Sequence, residues 1–262
     1  MPATVLVVFG SESDSPVFDK LMLALKEKNV EAELQICSAH KNPKELEKII
    51  SSSKAKVIIA GAGLSAALPG VIASQTLKPV IGLPVEGNYS GLDALLSVHQ
   101  MPSGIPVLGT GVNAVETAAC AAGIAVNGFE KITITKNFEE AVFGQKFSKM
   151  LEILQSFGAA FETVESLDSL KNRELGINFV ELSSEHGIDS KDFFAINVPL
   201  LEKSTSFDAQ KLLEKTRTGI WVGLNRLENS ALAAVGLLNV SDNSFSKKLL
   251  EYRKNLAVKK TK

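Results

Sequence analysis

The chain is poor in the residues from which several functional classes are built. Its 262 residues include two cysteines, Cys37 and Cys120, too few for a disulfide scaffold and without metal-type spacing. No His, Cys and carboxylate cluster has the spacing of a metal site, so no metal is expected. The formal net charge of -1 gives no whole-chain attraction to nucleic acid or membrane. The one basic concentration, Lys247 to Lys262, reads as a solvated helix end. The apolar run Ala118 to Val126 is too short to span a bilayer. The opening Met1-Pro2-Ala3-Thr4 has neither the positive segment nor the apolar stretch of a secretory signal, so a soluble cytoplasmic protein is expected. The glycine spacings of a dinucleotide fingerprint and of a P-loop are missing, and no Gly-x-Ser-x-Gly elbow is present.

What is present is a 45% hydrophobic chain with an ordinary 22% of charged residues, ample for packed cores. Thr4 to Phe9 is an apolar run without alternation, as a strand covered on both faces requires. A helix pattern follows from Pro16 to Lys28, then a strand over Glu31 to Cys37 and a helix over Pro43 to Ser53. Lys56 to Ala60, Pro79 to Leu83 and Ile105 to Gly109 read as strands, separated by helices over Leu68 to Thr76 and Leu92 to Gln100 and followed by an Ala-rich helix, Asn113 to Val126. Strand alternating with helix predicts a parallel sheet with helices on both faces.

The pattern then restarts with Lys131 to Thr135 and a helix over Phe143 to Phe157 ending at Gly158. Phe147-Ser148-Lys149-Met150 is similar to Phe18-Asp19-Lys20-Leu21 at an offset of 129. Ala195 to Pro199 is similar to Val80 to Pro84, Phe207-Asp208-Ala209 to Leu92-Asp93-Ala94, and Thr218 to Val222 to Ser103 to Val107, all at 115. Ala231 to Gly236 is similar to Ala118 to Gly123. The collinear order predicts an internal duplication, with domains at 1–128 and 129–262, 14 residues lost inside the second copy, and a Lys- and Leu-rich helix over Lys247 to Ala257 at its end.

Three segments of the first half carry candidate chemistry. Gly10-Ser11-Glu12-Ser13-Asp14 lies between a strand and a helix, where hydroxyls and backbone N–H groups suit a phosphate and Asp14 suits sugar hydroxyls. His40, between Ser38-Ala39 and Lys41, follows the second strand and suits proton transfer near neutral pH, with Lys41 as a point charge for phosphate. Gly61-Ala62-Gly63 follows the third strand and lets a ligand approach the backbone. Each also has a plain structural reading as a capped turn or surface loop. Ligands bind such sheets outside the carboxyl ends of the strands, so the three together outweigh any one. Cys37 reads as a strand-end filler, His99 as structural and His186 as a solvated loop residue. From these residues alone the chain is an α/β enzyme or binder for a small phosphorylated ligand.

These segments, with Asn42-Pro43, Leu68-Pro69-Gly70, Gly91-Leu92-Asp93 and Gln100-Met101-Pro102-Ser103-Gly104-Ile105-Pro106, resemble the PurE family of purine biosynthesis. The resemblance covers residues 4 to 126; the second half resembles the family only in framework. It implies a flavodoxin-like three-layer α/β/α fold, duplicated here, and formation of 4-carboxy-5-aminoimidazole ribonucleotide. One class moves a carboxylate within N5-carboxyaminoimidazole ribonucleotide to ring carbon C4, and the other carboxylates aminoimidazole ribonucleotide with CO2. Neither uses a metal, biotin or nucleotide cofactor. By the same resemblance Ser11 and Asp14 hold phosphate and ribose, Ser38 and Lys41 add phosphate contacts, His40 is the acid/base, and Gly61, Ala62 and Gly63 line the pocket for CO2. Two positions depart from the pattern: Lys41 stands where many members have Arg, and Ala67 where many mutases have His. The loop itself favours the mutase class. The family's octamer implies a homotetramer of tandem chains. A nucleotide-binding regulatory protein without turnover is the reading from another class.

Overall fold

The computed structural model describes residues 4–167, 170–171, 173–183 and 193–259; His186 lies outside them. Ten strands form one sheet: β1 (Val5–Phe9), β2 (Ala32–Ile36), β3 (Val57–Ala62), β4 (Val80–Pro84), β5 (Leu108–Gly109), β6 (Lys131–Thr135), β7 (Phe161–Val164), β8 (Glu174–Glu181), β9 (Ala195–Leu200) and β10 (Ile220–Trp221). The helices are α1 (Ser15–Glu27), α2 (Pro43–Ser52), α3 (Leu68–Gln75), α4 (Leu92–His99), α5 (Val115–Ala125), α6 (Glu140–Phe157), α7 (Asp208–Lys215), α8 (Leu227–Leu238) and α9 (Ser246–Lys259).

The strand order is β2-β1-β3-β4-β5-β10-β9-β8-β6-β7. Each half repeats the flavodoxin-like order 2-1-3-4-5. The pairs within each half are parallel, and the halves join through one antiparallel contact, Trp221 opposite Gly109. Alternate residues of each strand face opposite sides. Val5, Val7 and Phe9 pack against α1 and α5 in a core that continues through Ile132, Ile177 and Ile196 to α6 and α8. Leu6, Val8, Ile58 and Ala60 face α2, α3 and α4 in a second core. The first core therefore runs unbroken through both halves of the sheet.

The register measures how the halves differ. Ala32 pairs with Val5 as Phe161 pairs with Ile132, an offset of 127 between β1 and β6 and of 129 between β2 and β7. Val57 and Leu175 occupy matching places at 118, and Val80 and Ala195 at 115. Most of the lost length thus lies between β7 and β8, where no helix corresponding to α2 occurs among the described residues. The fifth strands depart from the expected alignment. Thr110 N–H donates to Gly82 O at 2.9 Å, and Val222 N–H to Asn197 O at 3.0 Å, which places β5 and β10 at an offset of 112. Ile105 to Val107 lie outside β5, because Pro106 has no N–H to give the ladder. Ile105 is therefore not the partner of Ile220, as the sequence similarity had it.

Sheet polarity follows the same division. In the second half, Thr135 hydroxyl donates to Asn178 Oδ1 at 3.3 Å, Asn178 Nδ2 to Asn197 Oδ1 at 3.0 Å, and Asn197 Nδ2 to Ile220 O at 3.1 Å. Leu6, Val8, Ile58 and Ala60 occupy that face in the first half. A buried polar row is tolerated when its members bond one another.

α9 straps the two halves together. Lys248 Nζ donates to Phe157 O at 2.6 Å, and Arg253 Nη1 to Ala73 O at 2.8 Å. Both cations sit at helix carboxyl ends, α6 and α3, where unpaired carbonyls and the macrodipole favour positive charge.

Candidate functional site

Phe9, the last residue of β1, pairs with Ile36 on one side and Gly61 on the other. The chain therefore leaves β1, β2 and β3 at one level of the sheet's carboxyl edge. The loop after β1 is ordered by its own hydroxyls. Ser11 Oγ accepts the Ser13 N–H at 3.2 Å and lies 2.8 Å from Ser13 Oγ, which caps the 3₁₀ turn Glu12–Asp14. Asp14 begins α1 without a side-chain capping bond. Its carboxyl is pushed above the ordinary range, chiefly by burial, with the Ser13 hydroxyl pulling the other way.

After β2, Ser38 folds the chain back on itself. Its Oγ accepts the Lys41 N–H at 3.3 Å and its carbonyl accepts the Asn42 N–H at 2.9 Å. That turn holds His40 and Lys41 exposed at its apex. Pro43 then opens α2, where its missing N–H costs nothing. Cys37 is buried, and burial pushes its thiol above the ordinary value, so it packs the strand end.

Gly61-Ala62-Gly63 differs from expectation. The sequence reads it as a loop, but β3 continues through Ala62, which pairs with Pro84, so only Gly63 begins the connection. A Cβ on Gly61 would lie 2.2 Å from the Phe9 ring. Packing alone therefore requires glycine there, and Gly61 presents backbone rather than an open pocket wall. Ala62 is buried and Gly63 half-buried. Ala67 stands immediately before α3.

Sequence reading named Gly91 in the loop after β4 but missed the turn before it and its tether. Tyr89, Ser90 and Gly91 take φ of 54°, 54° and 79°, a left-handed run that turns the chain sharply into α4. Asn113 holds this loop to the one after β5: its Oδ1 accepts the Glu86 N–H at 3.0 Å. The usable signal was Asn in a Gly-rich loop, since Asn tolerates left-handed backbone. Asn113 N–H also donates to Pro84 O at 2.8 Å, and Asn225 N–H repeats this bond with Pro199 O at 2.8 Å.

His99, by contrast, is buried, and its Nε2 lies 3.0 Å from Thr110 O. A carbonyl only accepts, so Nε2 carries the proton. Burial drives the ring's pKa down to about 4, and the residue is structural, as the sequence indicates.

In the described residues of the second half, apolar groups follow β6 and β7 at the equivalent edge. Continuing the β1/β6 register places Phe138 where Ser11 stands. Its ring packs on Phe147 and Phe179 with centroids 5.0 and 5.2 Å away. Leu167 is buried just beyond β7 and reaches toward Gly176.

Residues 4–143, more than half of the chain, match the protein family described as AIRC, AIR carboxylase. The chain belongs to this family. It is 51% identical over 115 residues to the N5-carboxyaminoimidazole ribonucleotide mutase of Methanocaldococcus jannaschii, covering 44% of this chain and 73% of that protein. The Pyrococcus abyssi protein of the same name is 42% identical over 117 residues, covering 43% of this chain and 67% of the relative. The Saccharomyces cerevisiae phosphoribosylaminoimidazole carboxylase is 41% identical over 134 residues, covering 50% of this chain and 24% of that longer protein. Family membership therefore rests on the half that carries the ordered loops. No described helix is long and apolar enough to cross a membrane.

Proposed function

We propose that this chain forms 4-carboxy-5-aminoimidazole ribonucleotide in purine biosynthesis, as a mutase acting on N5-carboxyaminoimidazole ribonucleotide in the cytoplasm. The observation that carries the reading is the Ser38-closed turn that presents His40 and Lys41 beside the Ser11–Asp14 loop. Ser11, Asp14, Ser38 and Lys41 hold the phosphate and ribose. The carbamate C–N bond breaks to give CO2 and the aminoimidazole. Ring carbon C4 then attacks CO2, His40 takes the C4 proton, and the exocyclic nitrogen recovers a proton, so no external reactant is consumed. Ala62, Gly63 and the Gly61 backbone keep CO2 near C4, where proximity supplies the rate. Direct carboxylation of aminoimidazole ribonucleotide with CO2 is the second reading, favoured by the likeness to the yeast carboxylase.

Residues 1–128 form the catalytic domain in this reading, and 129–262 a copy without a site, ending in α9. The repeated strand order and the Phe138 plug support that division. Leu64 and Tyr89 stand 78% and 80% exposed in the loops after β3 and β4. This open, apolar edge supports assembly of chains over the site as a homotetramer, and a monomer in light scattering would exclude it.

The test is turnover of N5-carboxyaminoimidazole ribonucleotide, and separately of aminoimidazole ribonucleotide plus CO2, by the wild type and His40→Asn. Fast use of the first substrate, abolished in a variant that still binds it, is expected. Efficient use of the second at modest CO2 would make the chain a carboxylase. Turnover of neither would leave a regulatory nucleotide binder.

A further inference from the structure

An open cleft of about 600 Å³ lies at the amino-terminal edge of the sheet, away from the candidate active site. Its walls are the α2–β3 connection, the α3–β4 connection and the α8–α9 turn, so both halves contribute. Lys54, Lys56 and Lys78 line it together with the hydroxyls of Thr76, Ser241 and Ser246.

Charge in this cleft is one-sided. No carboxylate is among the lining residues, and none of the three lysines forms an ion pair among the described residues. The neighbouring acid, Asp242, is engaged with the start of α9, accepting the Ser244 N–H at 3.0 Å. Lys78 Nζ donates to Ser53 O at 2.6 Å and Lys56 Nζ to Val126 O at 3.1 Å. An ammonium has three N–H donors, so each of these bonds positions the group and leaves donors over. The positive end of α9, a 14-residue helix beginning at Ser246, adds to the same field.

We propose that this cleft binds a small polyphosphate anion, a di- or triphosphate group, at a site separate from that of His40. Three lysines lining one cleft, with no carboxylate among the lining residues, match the charge of such an anion better than that of a single carboxylate. Burial lowers the pKa of Lys78, and a bound anion opposes that cost. A ligand held by both halves stabilises the folded chain by mass action.

The probe is inorganic tripolyphosphate, titrated calorimetrically into the full chain at low salt. Wild type, Lys54→Glu and Lys41→Glu are compared, with Lys149→Glu on exposed α6 as a control. One tripolyphosphate per chain is expected in the wild type, Lys41→Glu and the control. Lys54→Glu weakens binding about tenfold or more, since a charged hydrogen bond is lost and a repulsive charge gained. Lys54 is exposed, so the variant should fold, and its unliganded melting curve checks this. Ligand at a hundredfold excess over Kd raises the wild-type midpoint by about 5 °C. Loss of binding in Lys41→Glu alone would place the anion at the candidate active site and overturn the proposal. Equal binding by all four proteins, or by none, would overturn it as well.

Discussion

Asn229, on α8, binds the first half of the chain by two side-chain bonds. Its Oδ1 accepts the Gly104 N–H at 2.9 Å and its Nδ2 donates to Pro102 O at 3.0 Å. The residue is 2% exposed, so water cannot replace it. Asn229→Ala leaves a buried N–H and a buried C=O without partners, at about 1–3 kcal/mol each, or roughly 2–6 kcal/mol together. For a chain of this size that lowers the melting midpoint by roughly 4–11 °C. Asn229→Asp keeps the acceptor for Gly104 but sets an oxygen against the Pro102 carbonyl, so it should lose at least as much. Urea unfolding followed by far-UV circular dichroism and by Trp221 fluorescence measures the loss. Trp221, the single tryptophan, is fully buried in β10 beside the junction. Coincident transitions would show both halves unfolding together. A loss below about 0.5 kcal/mol, the range of ordinary surface changes, would refute the view that the second half holds the Pro102–Gly104 segment in place.

Gly61→Ala should cost about 1–3 kcal/mol in chemical denaturation through overpacking, because its Cβ meets a Phe9 ring already packed on Phe18 at 5.4 Å; an unchanged midpoint would mean that the ring has room to move. His99 gives a pH dependence: its folded pKa of about 4 lies below the ordinary imidazole value of 6.5, so the unfolded state binds the extra proton. Stability from this group is full above pH 6.5 and is lost as pH falls toward 4, on the order of 3 kcal/mol in all. Denaturation across that window should show a shallower pH slope for His99→Gln than for wild type, and parallel slopes would exclude the effect. Arg253→Ala should cost about 1–3 kcal/mol by leaving the Ala73 carbonyl without its charged donor, with partial recovery in Arg253→Lys; equal thermal stability of all three would show that α9 is no strap.

The first half was legible because its inner strands β1, β3 and β4 are apolar on both faces, and each connection is marked by Gly, Pro, Ser or Asn. Lys131 to Thr135 was read to the residue, and Gly158 takes φ of 74° at the end of α6, as a C-capping glycine should. β7 and β8 escaped notice, since Phe161–Val164 is half polar and Glu174–Glu181 carries Asn178 on a face where the first half is apolar. The boundary error at Gly61 has a tertiary cause: glycines read locally as a loop, and nothing near them in sequence announces a Phe9 ring. For the site, residue types marked the loops. The Ser38-closed turn and the Asn113 tether needed coordinates, because the serine and asparagine side chains accept from backbone N–H groups that no sequence pattern singles out.

The two halves diverge in a physically consistent way. Among the described residues no counterpart of α2 covers one face of the second half's sheet. On that face stand Thr135, Asn178 and Asn197, bonded to one another across β6, β8 and β9. At the carboxyl edge the divergence runs the other way: Phe138 replaces a hydroxyl-lined loop and fills the edge with aromatic packing. A ligand site needs polar groups accessible to solvent. In the first half Ser11, His40 and Lys41 are exposed and Ser38 is half-buried. In the described part of the second half, Thr135, Asn178 and Asn197 bond one another and Phe138 packs on Phe147 and Phe179 after β6, while β10, α8 and the Asn229 contact support the other half.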